Sequence, residues 1–401
     1  MTDYTNTPEL RFPEFNHDWS MLTLGDIGKV EMNKRIYKSQ TSDDEEIPFY
    51  KISTFGKEPT TFISREIFEE YKEKFPYPNK GDILISASGS IGKTIEYNGE
   101  EAYFQDSNIV WLNHNQQVSN KFLKQFYSII DWKGIEGSTI KRLYNRHILN
   151  TIINLPLYEE QEKIGTFFSK LDRQIELEEK KLELLEQQKR GYMQKIFSQE
   201  LRFKDDNGNK YPNWETKKLS SIATIIRGLT YKPSDIRQNG VRVLRSSNIL
   251  NDKFHIYKDD VFVDKNIVKI PLASEDDILI TAANGSPKLV GKHALIKDLK
   301  QDSVAGGFMY LLKSEYAKFI QIWMNSKEYK KIITKVQGGN GSIGNLSRKD
   351  LENGIITIPC LEEQKKIGIF FSEIDKCSET LEQKIKILKQ RKKGLLQKMF
   401  V

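Results

Sequence analysis

The feature that most constrains this chain is that it is written twice. Residues 9–12 and 200–203 both read ELRF, and each copy goes on to a tryptophan, Trp19 and Trp214. LTLGDIG at 22–28 is followed in the second copy by KKLSSIA at 217–223, and GDILIS at 81–86 by DDILIT at 276–281. QDS recurs at 105–107 and 301–303, EEQEKIGTFFSKLD at 159–172 becomes EEQKKIGIFFSEID at 362–375, and QKIF at 194–197 becomes QKMF at 397–400. Agreement is weak in the middle of each copy and close at its end. A period of roughly 200 residues is too long for a solenoid and suits a duplicated domain followed by a helix.

The shared end of each copy carries a helical seam. From Ile164, the positions Phe168, Leu171, Ile175, Glu178, Leu182, Leu185, Lys189, Tyr192 and Ile196 alternate steps of four and three. The second copy repeats the steps through Ile367, Phe371, Ile374, Ser378, Leu381, Ile385, Leu388, Lys392, Leu395 and Met399. Such a heptad pattern predicts a helix that pairs with another. At ~33 residues it would run about 50 Å. Connectivity sets the direction: the first helix delivers the chain to the second unit, and the second helix must run back to pack along the first. The expectation is an antiparallel intramolecular coiled coil with a globular domain at each end, a pseudo-two-fold dumbbell.

Before each helix lie about 150 residues with short β-rich runs, at 47–53, 82–88, 108–113, 241–249 and 308–313, and amphipathic helical pieces at 119–131 and 315–336. Gly, Asn and Ser turns separate them, so each unit reads as α+β. The polar and basic residues gather in the turns: SASGSIGKT at 86–94, GSTIKRLYNRH at 137–147, RGLTYK at 227–232, VLRSSNI at 243–249, TAANGSPKLVGK at 281–292 and QGGNGSIGNLSRK at 337–349. Backbone amides and cations hold phosphates, and Arg and Asn read base edges. Solvated turns have the same composition.

Enzymatic readings find little support. ASGSIGKT at 87–94 has Ala87 where a phosphate-binding loop of form GxxxxGK[ST] needs glycine, and the second copy has Ser286 there and His293 after Lys292. GNGSIG at 339–344 fits GxGxxG but follows a helical segment, which favours a turn. The five histidines stand alone, and Cys360 and Cys377 have no partner motif, so metal and triad chemistry lack ligands. Acidic residues fall mostly on the helices as partners of Lys. An excess of 62 Lys and Arg over 55 Asp and Glu permits nucleic-acid binding without requiring it. With 38% hydrophobic residues, no apolar run of bilayer length and no secretory leader, a cytoplasmic protein is expected.

The succession of a divergent domain, a GSTIKRL-like segment, a junction at Leu155, Pro156 and Glu159 to Gly165 (repeated at Ile358, Pro359 and Glu362 to Gly368) and a long helix, all duplicated, resembles the specificity subunit of type I restriction-modification systems. The resemblance covers essentially the whole chain. It implies two target recognition domains, 1–158 and 200–361, joined by spacer helices at 159–199 and 362–401, each domain reading one half of a bipartite, asymmetric DNA site. The helices would dock two methylation subunits, to which restriction subunits attach. The chain itself would be non-catalytic within a complex that methylates adenine and cleaves DNA with ATP. It would hold no cofactor: ATP, magnesium and S-adenosylmethionine would belong to the partners.

On this reading Ser88, Ser90, Lys93, Thr139, Lys141, Arg142, Asn145 and Arg146 face one half-site, and Arg245, Asn248, Asn284, Lys288, Asn340, Asn345 and Arg348 face the other. The second copy departs at GSIGNLS, where the first has GSTIKRLYN, so equivalent loops need not make equivalent contacts. The competing reading is a two-headed protein-protein adaptor with a coiled-coil spacer and no DNA readout.

Overall fold

The computed structural model describes residues 7–114, 116–132, 141–337 and 344–400. It divides into two compact units, Met1–Lys180 with Glu382–Val401, and Lys181–Leu381. Both are α+β, and both have the same plan.

In the first unit, Ile83–Ser86 lies inside an antiparallel sheet in the order Gly28–Glu31, Ile109–His114, Ile83–Ser86, Thr94–Glu96. All four residues of Ile83–Ser86 are buried, which explains why Ile83, Leu84 and Ile85 are apolar in succession in place of alternation. A second sheet sets Ile47–Tyr50 between Phe62–Ile63 and, in parallel, Tyr103–Phe104. A third pairs Ser20–Thr23 with Ile152–Leu155, just before the long helix. The helix Asn120–Tyr127 buries Phe122, Leu123, Phe126 and Tyr127 against the first sheet's core, where Ile164 and Phe168 also insert.

The second unit repeats this plan. Its main sheet runs Thr224–Arg227, Met309–Lys313, Ile278–Thr281, His293–Leu295, and its second sheet ends in the parallel pair Val241–Leu244 and Ser303–Ala305. Glu215–Lys218 pairs with Ile355–Ile358 before the distal helix. The expected helical piece at 315–336 is two helices, Ala317–Trp323 and Lys327–Gln337. The interruption comes at Asn325, whose amide donates to the Gln321 carbonyl, and Ser326, whose hydroxyl accepts from the Tyr329 amide.

The long helices are Tyr158–Phe197 and Leu361–Met399, longer than the seam alone predicted. Their starts are fixed by the junction motif. Gln161 donates to the Pro156 carbonyl at 2.9 Å and Gln364 to the Pro359 carbonyl at 2.7 Å. Glu160 and Glu363, both fully buried, accept paired hydrogen bonds from Arg11 and Arg202, the arginines of the two ELRF segments. The two most alike stretches of each copy are therefore the two sides of one buried ion pair.

Within each unit the helical segments run antiparallel along the seam. In the first, Lys392 meets Asp172 at 2.5 Å and Lys384 meets Glu178 at 2.8 Å; in the second, Lys189 meets Asp375 at 2.5 Å. The polar breaks at Lys189 and Lys392 are thus the same ion pair written twice. Ile175, Glu178, Ser378, Ile385 and Leu388 are buried on the seam. The helix ends enter the cores: Phe400 lies 4.9 Å from Phe122 and 6.4 Å from Trp19, and Phe197 lies 5.8 Å from Phe319 and 6.2 Å from Trp214.

One apparent repeat is out of register. Strand pairing matches Ser86 with Ile109 and Thr281 with Met309, so 105–107 corresponds to the segment before Met309. QDS at 105–107 follows the strand Tyr103–Phe104, whereas QDS at 301–303 leads into the equivalent strand Ser303–Ala305. That identity of three residues is coincidental.

Candidate nucleic-acid interface

In each unit five loops converge at one end of the main sheet. In the first they are 32–37, 51–57, 86–94, 105–108 and 141–146. Ala87 donates its amide to the Asn108 carbonyl and accepts one from Leu143, both at 2.8 Å. Ser88, buried, donates to the Asn108 side chain at 2.7 Å, and Arg142 donates to the Ser107 carbonyl. The Ile52 amide donates to Gln105 at 2.9 Å, and Arg35 reaches Asp106 at 3.6 Å.

Arg142 and Arg146 both stand over the Tyr144 ring, 5.9 and 5.6 Å from its centroid. Tyr144 is exposed, so its ring offers both guanidinium groups a cation–π contact at the surface. Lys141 and Asn145 are exposed beside them. Ser90 is exposed at the tip of the 86–94 turn. Lys93 donates its ammonium to the Phe55 carbonyl at 2.7 Å, and a side chain at Gly92 (φ 79°) would collide with the Trp132 indole. Those partners give the glycines and the lysine of this segment structural roles within the turn. Thr139 lies outside the described residues.

In the second unit the loops are 227–232, 244–248, 281–292, 306–308 and 344–348. They are locked backbone to backbone. Leu229 donates to the Ala305 carbonyl at 2.7 Å, Gly306 to that of Leu244 at 2.8 Å, and Leu346 to that of Ala282 at 2.8 Å. Gly228 passes so close to Gly306 that any Cβ would fall 1.9 Å from the Gly306 oxygen. Only glycine fits there.

Asn284 donates to Ser246 at 3.2 Å and accepts from the Ser286 amide, and its strand pairs with Gly344–Asn345. Lys288 and Asn345 are exposed, and Arg348 is exposed with Glu352 at 2.7 Å. Asn248 is fully buried, its amide tied to the Arg245 backbone, the His255 carbonyl and Asp260. Its part is to shape the loop that presents Arg245. The Arg245 side chain is half-buried, and its Nε has no hydrogen-bond partner among the described residues. Asn340 lies outside the described residues.

Three residues of these rims carry no signal strong enough for the sequence reading. Arg227 is exposed at the end of its strand, paired with Tyr310. Burial pushes the Tyr310 phenol above its ordinary pKa while Arg227 and Arg348 pull against it, which marks two cations around one ring. Asn108 ties its own loop to the 86–94 turn through Ala87 and Ser88. Phe308, 72% exposed, begins what reads as an apolar strand, yet the strand starts at Met309.

Among the described residues no group of His, Cys, Asp and Glu is placed to hold a metal ion, and no helix is long and apolar enough to cross a membrane.

Comparison with known proteins gives these rims their context. The pattern of the type I restriction modification DNA specificity domain matches residues 16–187 and again 211–390. A putative type I restriction enzyme specificity subunit of Haemophilus influenzae is 48% identical over 171 residues, 42% of this chain and 44% of that one. The type I restriction enzyme MjaVIII specificity subunit of Methanocaldococcus jannaschii is 25% identical over 407 residues, 96% of this chain and 92% of its own. The crystal structure of a type I restriction-modification S subunit from M. genitalium shares the fold, with a TM-score of 0.61 at 17% identity over 98% of this chain and 99% of that one. Two pattern matches that together take in most of the chain, on two units of one plan, show that it belongs to the type I restriction-modification DNA specificity family.

Proposed function

We propose that this chain selects the DNA sequence on which a type I restriction-modification complex acts. Each unit reads one half of a bipartite, asymmetric site, 1–158 and 200–361 serving as the recognition domains. The long helices space the halves and dock two methylation subunits, and restriction subunits join through the complex. The chain performs no chemistry: ATP, magnesium and S-adenosylmethionine are the partners' cofactors.

The observation that supports this reading is that one five-loop rim occurs in both units with different side chains. One scaffold with Ser90, Lys141, Asn145 and Arg146 on one rim and Arg245, Lys288, Asn345 and Arg348 on the other suits two unlike base clusters. Ser88, Lys93, Arg142 and Asn284 stand behind these as supports with atoms still near the surface. Thr139 and Asn340 complete the proposed set.

Gel retardation by the chain with its methylation partner tests this. Lys288→Ala is expected to weaken binding to target and scrambled duplexes alike and to flatten the salt slope by about one unit. Arg245→Ala should relax one base position at a cost of ~1–3 kcal/mol. Equal losses on both duplexes from every such change would remove base readout by these loops. No retardation at low salt would favour the adaptor reading.

A further inference from the structure

An exposed phenylalanine in the middle of a basic rim needs an explanation. Phe308 sits on the tight link between Ser303–Ala305 and Met309–Lys313 and is the most exposed large apolar side chain described. Its backbone is held firmly: the amides of Ala282 and Ala283 both donate to its carbonyl, at 2.8 and 3.1 Å. Before it, Gly306 and Gly307 pack against the backbone of 228–230 and 244. The side chain is thus carried on a rigid tip.

The surroundings are cationic. Arg245 lies against Gly306, its Cγ 3.7 Å from where a Cβ there would be, and Gly228, next to Arg227, donates to the Met309 carbonyl at 3.0 Å. An exposed apolar ring with Arg227 and Arg245 on the adjoining segments is poorly suited to a hydrophobic protein surface, which would have to desolvate those charges. It is well suited to a polyanion that also offers flat apolar faces. Duplex DNA is such a partner, and apolar side chains enter between base pairs where a basic surface grips the backbone.

On the strength of the DNA-reading function above, we propose that Phe308 is a wedge that enters a base step of the half-site read by the second unit. The loosened base pairs then lie against the half-buried Arg245, which packs beside Gly306. At the corresponding position the first unit has a polar residue. By strand register that position is Asn108, whose side chain is bonded to Ser88. The two units therefore read by different physics, one by polar contact and the other by contact with a deformed step, so specificity in the second half-site depends on how easily that step opens.

The test uses the full chain with its methylation partner and duplexes carrying the site mapped by methylation in a host that expresses this chain. 2-Aminopurine is placed in turn at each purine of the two half-sites. Wild type is expected to brighten it at one step of one half-site, in addition to any signal at the methylated adenine, which the methylation subunit extrudes. Phe308→Ala should abolish the first signal, leave the second, and weaken binding roughly 5- to 100-fold. The salt slope should not change, because no charge is removed. Phe308→Trp should restore both signal and affinity. Because the side chain is exposed, thermal unfolding of both variants should match wild type, which separates the effect from misfolding.

If Phe308→Ala binds its target as tightly as wild type with the same 2-aminopurine profile, the wedge is wrong while sequence reading stands. If wild type shows no preference for the mapped duplex over a scrambled one, the reading beneath it falls as well.

Discussion

Replacing Arg202 with alanine is expected to destabilise the second unit by about 3–5 kcal/mol, the usual cost of stranding one member of a buried ion pair. Glu363 is fully buried, and its carboxylate is held by Arg202 at 2.6 Å and the Trp214 indole at 3.1 Å. The indole donates one hydrogen bond but no charge. Without the guanidinium the carboxylate keeps its desolvation penalty and loses its counter-charge. Adding Glu363→Gln to Arg202→Ala removes that charge and should recover part of the stability, which loss of packing alone would not allow. Calorimetry with a transition assigned to each unit is the measurement. No recovery in the double variant would mean that Arg202 acts by packing.

A second large effect is expected from ending the chain after Gly394. The removed residues include Leu396 and Met399, buried in the first unit, and Phe400, stacked on Phe122. They also include the Lys398 carbonyl, which accepts the Leu10 amide at 2.8 Å, and the Lys398 ammonium, which pairs with Glu9. Buried side chains of this size contribute ~2–5 kcal/mol each, so the loss is comparable with the whole stability of a domain, about 5–15 kcal/mol. The first unit's unfolding transition should vanish while that of the second persists. Two unchanged transitions would show that the last turns of the helix are dispensable.

The parts of this molecule that were legible in its sequence are those written locally. Helical periodicity survives in single residues, so Ile164, Phe168, Ile175, Glu178 and Ile196 of the seam are buried, while Tyr192 at the same spacing is exposed. Apolar runs such as 83–85 mark buried strands for the same reason. The partnership of Arg11 with Glu160 was not legible, because the two are 149 residues apart and each alone reads as a solvated charge. Repetition pointed at both motifs without saying that they touch.

At the rims the limits are sharper. Asn in a Ser-Ser-Asn turn looks the same whether its amide faces water or, as at Asn248, closes a buried network with Asp260. Phe308 joins an apolar run and reads as its first core residue. The strand begins one position later because Gly306 and Gly307 turn the chain sharply before it. Lys93 in a Gly-rich loop suggests a phosphate, but only the fold reveals the Phe55 carbonyl waiting for its ammonium.

Mapping methylated adenines in a host with and without this chain, alongside its methylation partner, tests whether two unlike units of one chain read two base clusters. One new motif made of two different defined clusters separated by a fixed run of unspecified bases is expected. A single uninterrupted motif, or no new methylation with the partner present, would contradict it.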